Sequence, residues 1–189
     1  GDSMSANTLN LVKNLIGLGL LIPTALVVEG LTLPSLSSTQ WLILVASGYG
    51  GIAIADTFYL QALRHLGAGR TAIVASLYSP FVVILSILFL GESLALWQWL
   101  GFLLVLFGIL IAVYQRHYQA VDREQLVLGV ALASSSVFLT AAGVVAMKPI
   151  LDNSGFFWMV SLRLLAGIVG MVLYIVLRGQ IKSTWQVVT

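Results

Sequence analysis

Residues 71–114 read TAIVASLYSPFVVILSILFLGESLALWQWLGFLLVLFGILIAVY. The stretch holds two apolar runs, 71–90 and 94–114, parted only by Gly91-Glu92-Ser93, and neither run contains a charged residue. A helix needs about 20 mainly apolar residues to cross the hydrocarbon of a bilayer, and each run has that length. The runs are continuous rather than alternating, which excludes the strands of a membrane barrel. The same criterion applied outward finds four more spans, at 9–28, 41–63, 126–148 and 156–177. The connections are short and carry turn formers: Pro34 with Ser35, Ser37 and Ser38; Gly67 with Gly69; Pro149 with Asn153 and Gly155. No linker is long enough to part soluble domains. The sequence predicts an all-α integral membrane protein with six transmembrane helices.

Composition leads to the same class. Of 189 residues, 59% are hydrophobic and 8% charged, against about 45–50% and about 25% in soluble domains. Nine basic and seven acidic side chains could not cover a soluble surface. A net charge of +2 without any basic run excludes a phosphate-binding surface, so no nucleic-acid partner is expected. With no cysteine there is no disulfide, thiolate metal site or cysteine nucleophile. Two histidines, His65 and His117, do not suggest a zinc cluster. No metal or cofactor is expected. Trp41, Trp97, Trp99 and Trp158 fall near span ends, where interfacial indoles sit.

Lysine and arginine placement tests orientation. The side bearing Gly1 receives Arg64, Arg70, Arg116, Arg123, Arg178 and Lys182, with Lys13 if it snorkels; the other side receives Lys148 and, by snorkelling, Arg163. That count makes the Gly1 side cytoplasmic.

A shift of 150 residues places Asp2 on Asp152, Lys13 on Arg163, Leu15 on Leu165 and Gly17 on Gly167. Each copy reads as an acidic loop residue, a basic residue eleven positions on, and glycine four beyond that. Asp152 follows a span, so a span is also expected before Asp2. Five spans separate the equivalent points, and an odd number inverts the second copy. Inverted repeats are a common transporter architecture, with the substrate site near the midplane between the halves. Residues 1–115 would then be a first repeat lacking its first helix, and 124–189 the first two helices of the second. The parent would hold ten spans in about 300 residues.

Residues 56–114 resemble the EamA-like branch of the drug/metabolite transporter superfamily. The resemblance rests on Ala62-Leu63, Gly67-Ala68-Gly69, Ala72, Pro80 inside a span, Leu90-Gly91-Glu92, Gly101 and Gly108. The fifth and sixth spans match more loosely, through Gly129, Lys148 and Arg163. The resemblance implies a ten-helix transporter of the cell (inner) membrane whose proline helix lines a central cavity. It also implies cytoplasmic termini for the ten-span parent, which would put Gly1 outside, against the charge count.

Asp56 is the first candidate for chemistry. It lies about 10 Å inside the second span at 1.5 Å per residue. A carboxylate there costs roughly 2.5–3.5 kcal/mol, and aspartate is too short to snorkel out. It must face a cavity, hold a proton or pair with a base; a structural hydrogen bond to a neighbouring helix is the alternative. Tyr59 lies on the same helical face. In the third span Pro80 withdraws a backbone donor, with Tyr78 and Ser79 as hydrogen-bonding neighbours. This is either a bend lining the substrate path or a packing kink whose serines bond back to their own helix. Gly91 and Glu92 belong to the motif, and Glu92 suggests a cap. Lys13 and Arg163 are candidates for an anionic substrate group. Gly48, Gly50, Gly51, Gly101 and Gly108, with Ala131, Ala133 and Ser134 to Ser136, suggest close helix packing.

The serine run has no partnered histidine or glycine elbow, and no glycine-rich loop precedes a lysine. An enzyme is therefore not expected. The expected function is secondary transport of small metabolites, amino acids or drugs by alternating access, with the lipid bilayer, a small-molecule substrate and protons as partners. The alternative is a non-transporting membrane subunit that assembles with a partner.

Overall fold

In the computed structural model, residues 6–31, 33–115, 122–151 and 155–177 are described. Seven α-helices account for nearly all of them: α1 (Ala6–Glu29), α2 (Ser38–Gly48), α3 (Ala55–Ala75), α4 (Tyr78–Leu90), α5 (Leu96–Gln115), α6 (Arg123–Leu151) and α7 (Phe156–Leu177). A π-helical segment, Tyr49–Ile54, joins α2 to α3.

Local sequence explains the ends. At Ser37 a capping box starts α2: the Ser37 hydroxyl accepts from the Gln40 N–H at 3.3 Å, and Gln40 Oε1 accepts from the Ser37 N–H at 2.8 Å. Gly91 closes α4 in the left-handed region, φ 65°, and its N–H bonds the Ser86 carbonyl. The glycine of Leu90-Gly91-Glu92 is thus a helix terminator. Gly67, at φ 74° and ψ 166°, breaks α3 where the sequence sets a turn.

Among the described residues, four helical stretches are long and apolar enough to cross a membrane: Thr8–Glu29, Ser38–Ala75, Arg123–Leu151 and Phe156–Leu173. α4 is a shorter apolar helix of 13 residues. α5, 20 residues long, lies within two residues of the expected run 94–114. The expected run 71–90 is interrupted at Ser76 and Leu77. Pro80 sits in the first turn of α4, where its missing N–H would have had no helical partner anyway. It therefore follows a break between helices and does not kink the middle of one.

Two compact units divide the chain. The first comprises residues 1–57 and 146–189, and the second 58–145. In the first, α1, α2 and the π-helical segment all pack against α7. Its core is Leu44, Met147, Ile150 and Met159. Gly48 lets α2 approach α7 so closely that a Cβ there would collide with the Arg163 carbonyl. The start of α7 meets the end of α1: the Glu29 carboxylate accepts the N–H groups of Phe157 (2.9 Å) and Trp158 (3.1 Å). A negative group at a helix N-terminus satisfies orphan donors and complements the helix dipole. The Trp158 indole also donates to the Gly30 carbonyl at 2.9 Å. Helices α1 and α7 are therefore antiparallel neighbours.

In the second unit, Ala62, Leu66 and Ala133 form one buried cluster, and Leu85, Ala141 and Val145 another. Gly129 packs on Leu66, and Phe81 meets Phe138 edge to face at 5.5 Å. Among the described residues, a Cβ built on Gly50, Gly101 or Gly108 has nothing within 4 Å.

Large apolar side chains stand outward along the helices, among them Leu20, Leu42, Phe89, Leu104, Val127 and Leu173. Water would penalise that surface and hydrocarbon would not. The chain is an integral membrane protein.

Candidate functional site

Along α1, Asn10, Lys13, Asn14 and Gly17 stand at i, i+3, i+4 and i+7, so one face carries three polar groups inside an apolar span. That face meets the π-helical segment and the start of α3. The Asn10 amide nitrogen lies 3.4 Å from the carbonyls of Ile52 and Ala53 and 3.3 Å from the Thr57 hydroxyl. An amide has two N–H groups, so three acceptors share them. The Thr57 hydroxyl donates to the Ala53 carbonyl at 2.7 Å, and the Asn14 amide donates to Asn10 Oδ1 at 2.6 Å. Asn10 and Asn14 are both buried.

This network answers a backbone problem. A π turn spaces its hydrogen bonds five residues apart and leaves its carbonyls less regularly satisfied than an α-helix does. Tyr49-Gly50-Gly51 is weak helix-forming sequence, which favours such a deviation here. The asparagine amide supplies donors where the segment runs into α3.

Above this platform Lys13 and Asp56 form an ion pair. Of the three ways to hold a carboxylate in an apolar span, pairing with a base is the one found. Asp56 lies eleven residues before the Gly67 break, about 16 Å along the helix. The lysine side chain is 56% exposed and the aspartate 28%. The open side of such a pair must face water or another protein segment, because hydrocarbon would not solvate either charge.

The remaining candidates lie elsewhere. Arg163 has its carbonyl against Gly48, eight residues before Asp56. Half-buried Tyr59 belongs to the second unit, as do Tyr78, Ser79 and Pro80. Tyr78 and Ser79 open α4 with exposed side chains, and Pro80 behind them is buried. The Ser76 hydroxyl bonds back to the Ala72 carbonyl at 3.0 Å, the structural role expected of a serine beside a helix break. Glu92 follows Gly91 outside α4, its N–H directed at the Ser86 carbonyl at 3.4 Å. Asp2 and Asp152 lie outside the described residues.

Sequence reasoning missed Asn10, Asn14, Thr57 and Glu29. The signal for the first two was present in their helical spacing around Lys13. Glu29 looked like an ordinary residue at a span end.

No curated protein matches the chain. A family model does: residues 1–114 match the EamA-like transporter family. The match covers more than half of the chain and contains Lys13, Asp56 and the network beneath them. The chain belongs to the EamA-like transporter family.

Proposed function

We propose that this chain forms part of a secondary transporter of small metabolites, amino acids or drugs in the cell (inner) membrane, with Lys13 and Asp56 at its coupling site. The observation that carries the reading is their ion pair, held inside apolar spans on a platform of buried amides. Ion pairs in such positions mark substrate and proton pathways. One is open to competition: a ligand or proton that takes Asp56 must release Lys13, so occupancy is converted into a change between two helices. The π-helical segment lies directly between Gly48, pressed on α7, and Asp56. A change of one residue in its winding would turn Asp56 about the helix axis by roughly 100°. That supplies a local movement through which alternating access could act on the pair. Residues 1–115 and 124–189 would contribute to two inverted halves of a ten-helix protein, and Arg163, in the same unit as the pair, would line the solute path.

The test is transport by the complete natural protein in proteoliposomes carrying Asp56→Asn. The expected result is loss of solute flux by at least tenfold, with normal membrane insertion and an unchanged elution profile in detergent. Lys13→Gln should impair flux as well. Unaltered flux in both variants across pH 5 to 8 would remove the coupling role. Lost assembly with unaltered flux per inserted molecule would instead favour a structural pair.

A further inference from the structure

We propose that α1 is a hinged strap: it bends at residues 19–24, so that its Lys13 half can move with the π-helical segment while its Glu29 end stays fastened to α7. The sequence of α1 weakens this one stretch in two ways. Pro23, inside the helix, has no N–H to give the Gly19 carbonyl, its partner in an unbroken α-helix. Gly19 is itself the poorest helix former after proline. A Cβ built on Gly19 has nothing within 4 Å among the described residues, so packing does not demand glycine there. On the next rung the Thr24 hydroxyl donates to the Leu20 carbonyl at 2.8 Å, a back-bond that slightly destabilises and often bends a helix. Two successive rungs of α1 are thus altered, one emptied and one shared.

Packing leaves the same stretch loose. Of residues 19–24 only Leu21 is partly covered, and the others are exposed. Burial resumes at Ala25. The helix is held instead on either side. Six residues before Gly19, Lys13 pairs with Asp56, and Asn10 reaches the Ile52 and Ala53 carbonyls. Six residues after Pro23, the Glu29 carboxylate accepts the Phe157 and Trp158 N–H groups, and the Trp158 indole donates to the Gly30 carbonyl. Lys13 and Glu29 each lie about 9 Å along the helix from the weak stretch. A helix fixed at two points and weakest midway between them bends there when one anchor shifts. Opening of the ion pair is therefore absorbed at residues 19–24 and does not reach the clasp on α7. In the cycle proposed above, that would let the pair open while α1 and α7 stay joined at Glu29.

Amide hydrogen exchange, read residue by residue on the complete natural protein in lipid nanodiscs, tests the hinge. Exchange at residues 20–24 should be about tenfold faster than in a Gly19→Ala/Pro23→Ala variant, the factor expected for one restored hydrogen bond. Pro23→Ala alone gives the same comparison if the double variant does not insert. Asp56→Asn, which releases Lys13, should raise exchange at residues 20–24 and leave the Phe157 and Trp158 amides protected. Adding Gly19→Ala and Pro23→Ala to Asp56→Asn should carry the movement along a stiffened α1, so that those two amides exchange faster. Equal exchange at residues 20–24 in the natural and stiffened proteins overturns the hinge. So does loss of protection at Phe157 and Trp158 in Asp56→Asn alone, because the pair and the clasp would then move together. Neither result depends on solute flux, so the hinge and the transporter reading fail separately.

Discussion

Asn10 carries no charge and no reactive atom, yet its amide is the donor that the Ile52 and Ala53 carbonyls share. Replacing it by alanine removes that donor and leaves the Asn14 amide without its acceptor. Losing one partner of a buried hydrogen bond costs about 1–3 kcal/mol. Asn10→Ala should therefore lower the thermal midpoint of the purified protein and weaken the coupling of α1 to α3. Leu9→Ala, a change at a neighbouring exposed apolar position, should cost less. An Asn10→Ala protein as stable as the natural one would show that the platform carries no load. At this scale the sequence marks charge far better than it marks neutral polarity. Asp56 stands out because an ionised group in an apolar span demands an explanation. Asparagine in the same position can be satisfied by a neighbouring backbone, and which backbone depends on a contact 42 residues away. The pairing of Lys13 with Asp56 was hidden for the same reason: each residue was legible, but their proximity depends on α1 meeting the first residues of α3.

The glycine-rich end of α2 shows how one element can hold both a fixed point and a free one. Gly48 abuts the Arg163 carbonyl, with Ala166 Cβ at 3.0 Å and the Gly167 nitrogen at 3.2 Å from a Cβ built on it. Gly50, two residues on in the π-helical segment, would meet nothing within 4 Å. Gly48→Ala forces α2 away from α7 and should cost about 1–3 kcal/mol, the usual penalty for overpacking. Gly50→Ala should be neutral or stabilising, since alanine is the better helix former. Thermal unfolding of the two variants separates the effects, and equal destabilisation would mean that the α2–α7 approach is not a tight one. Helix class was legible throughout because hydropathy and length decide it. The interruption at Ser76 and Leu77 was not, because the apolar run continues through it unchanged. Pro80 marks that break only to a reader who knows whether it opens a helix or interrupts one. The π-helical segment was equally invisible, since a changed hydrogen-bond spacing leaves no trace in residue type beyond two adjacent glycines.

For the whole molecule, orientation is the decisive question. In the first unit the carboxylate of Glu29, at the end of α1, holds the start of α7, so the two helices begin at opposite ends of their shared contact. Their sequences are also the two that align under the 150-residue shift, with Lys13 on Arg163 and Gly17 on Gly167. A Cβ on Gly17 would meet Leu164 of α7 at 3.4 Å, and one on Gly167 would meet Ile52 at 3.0 Å, so both glycines face neighbouring helices of the same unit. An inverted repeat would also run these two segments in opposite directions, because a two-fold axis in the membrane plane exchanges helix directions. The sequence contains no cysteine, so single cysteines can be labelled without background. Ser3→Cys and Asn153→Cys occupy equivalent positions under the shift. In the complete natural protein, a membrane-impermeant maleimide should reach them from opposite faces of the membrane. Labelling of both from one face would exclude inversion and leave the match between the two segments to chance. The face that exposes Ser3→Cys also decides between the two expectations for Gly1: cytoplasmic labelling follows the lysine and arginine count, and external labelling follows the ten-helix form of the family.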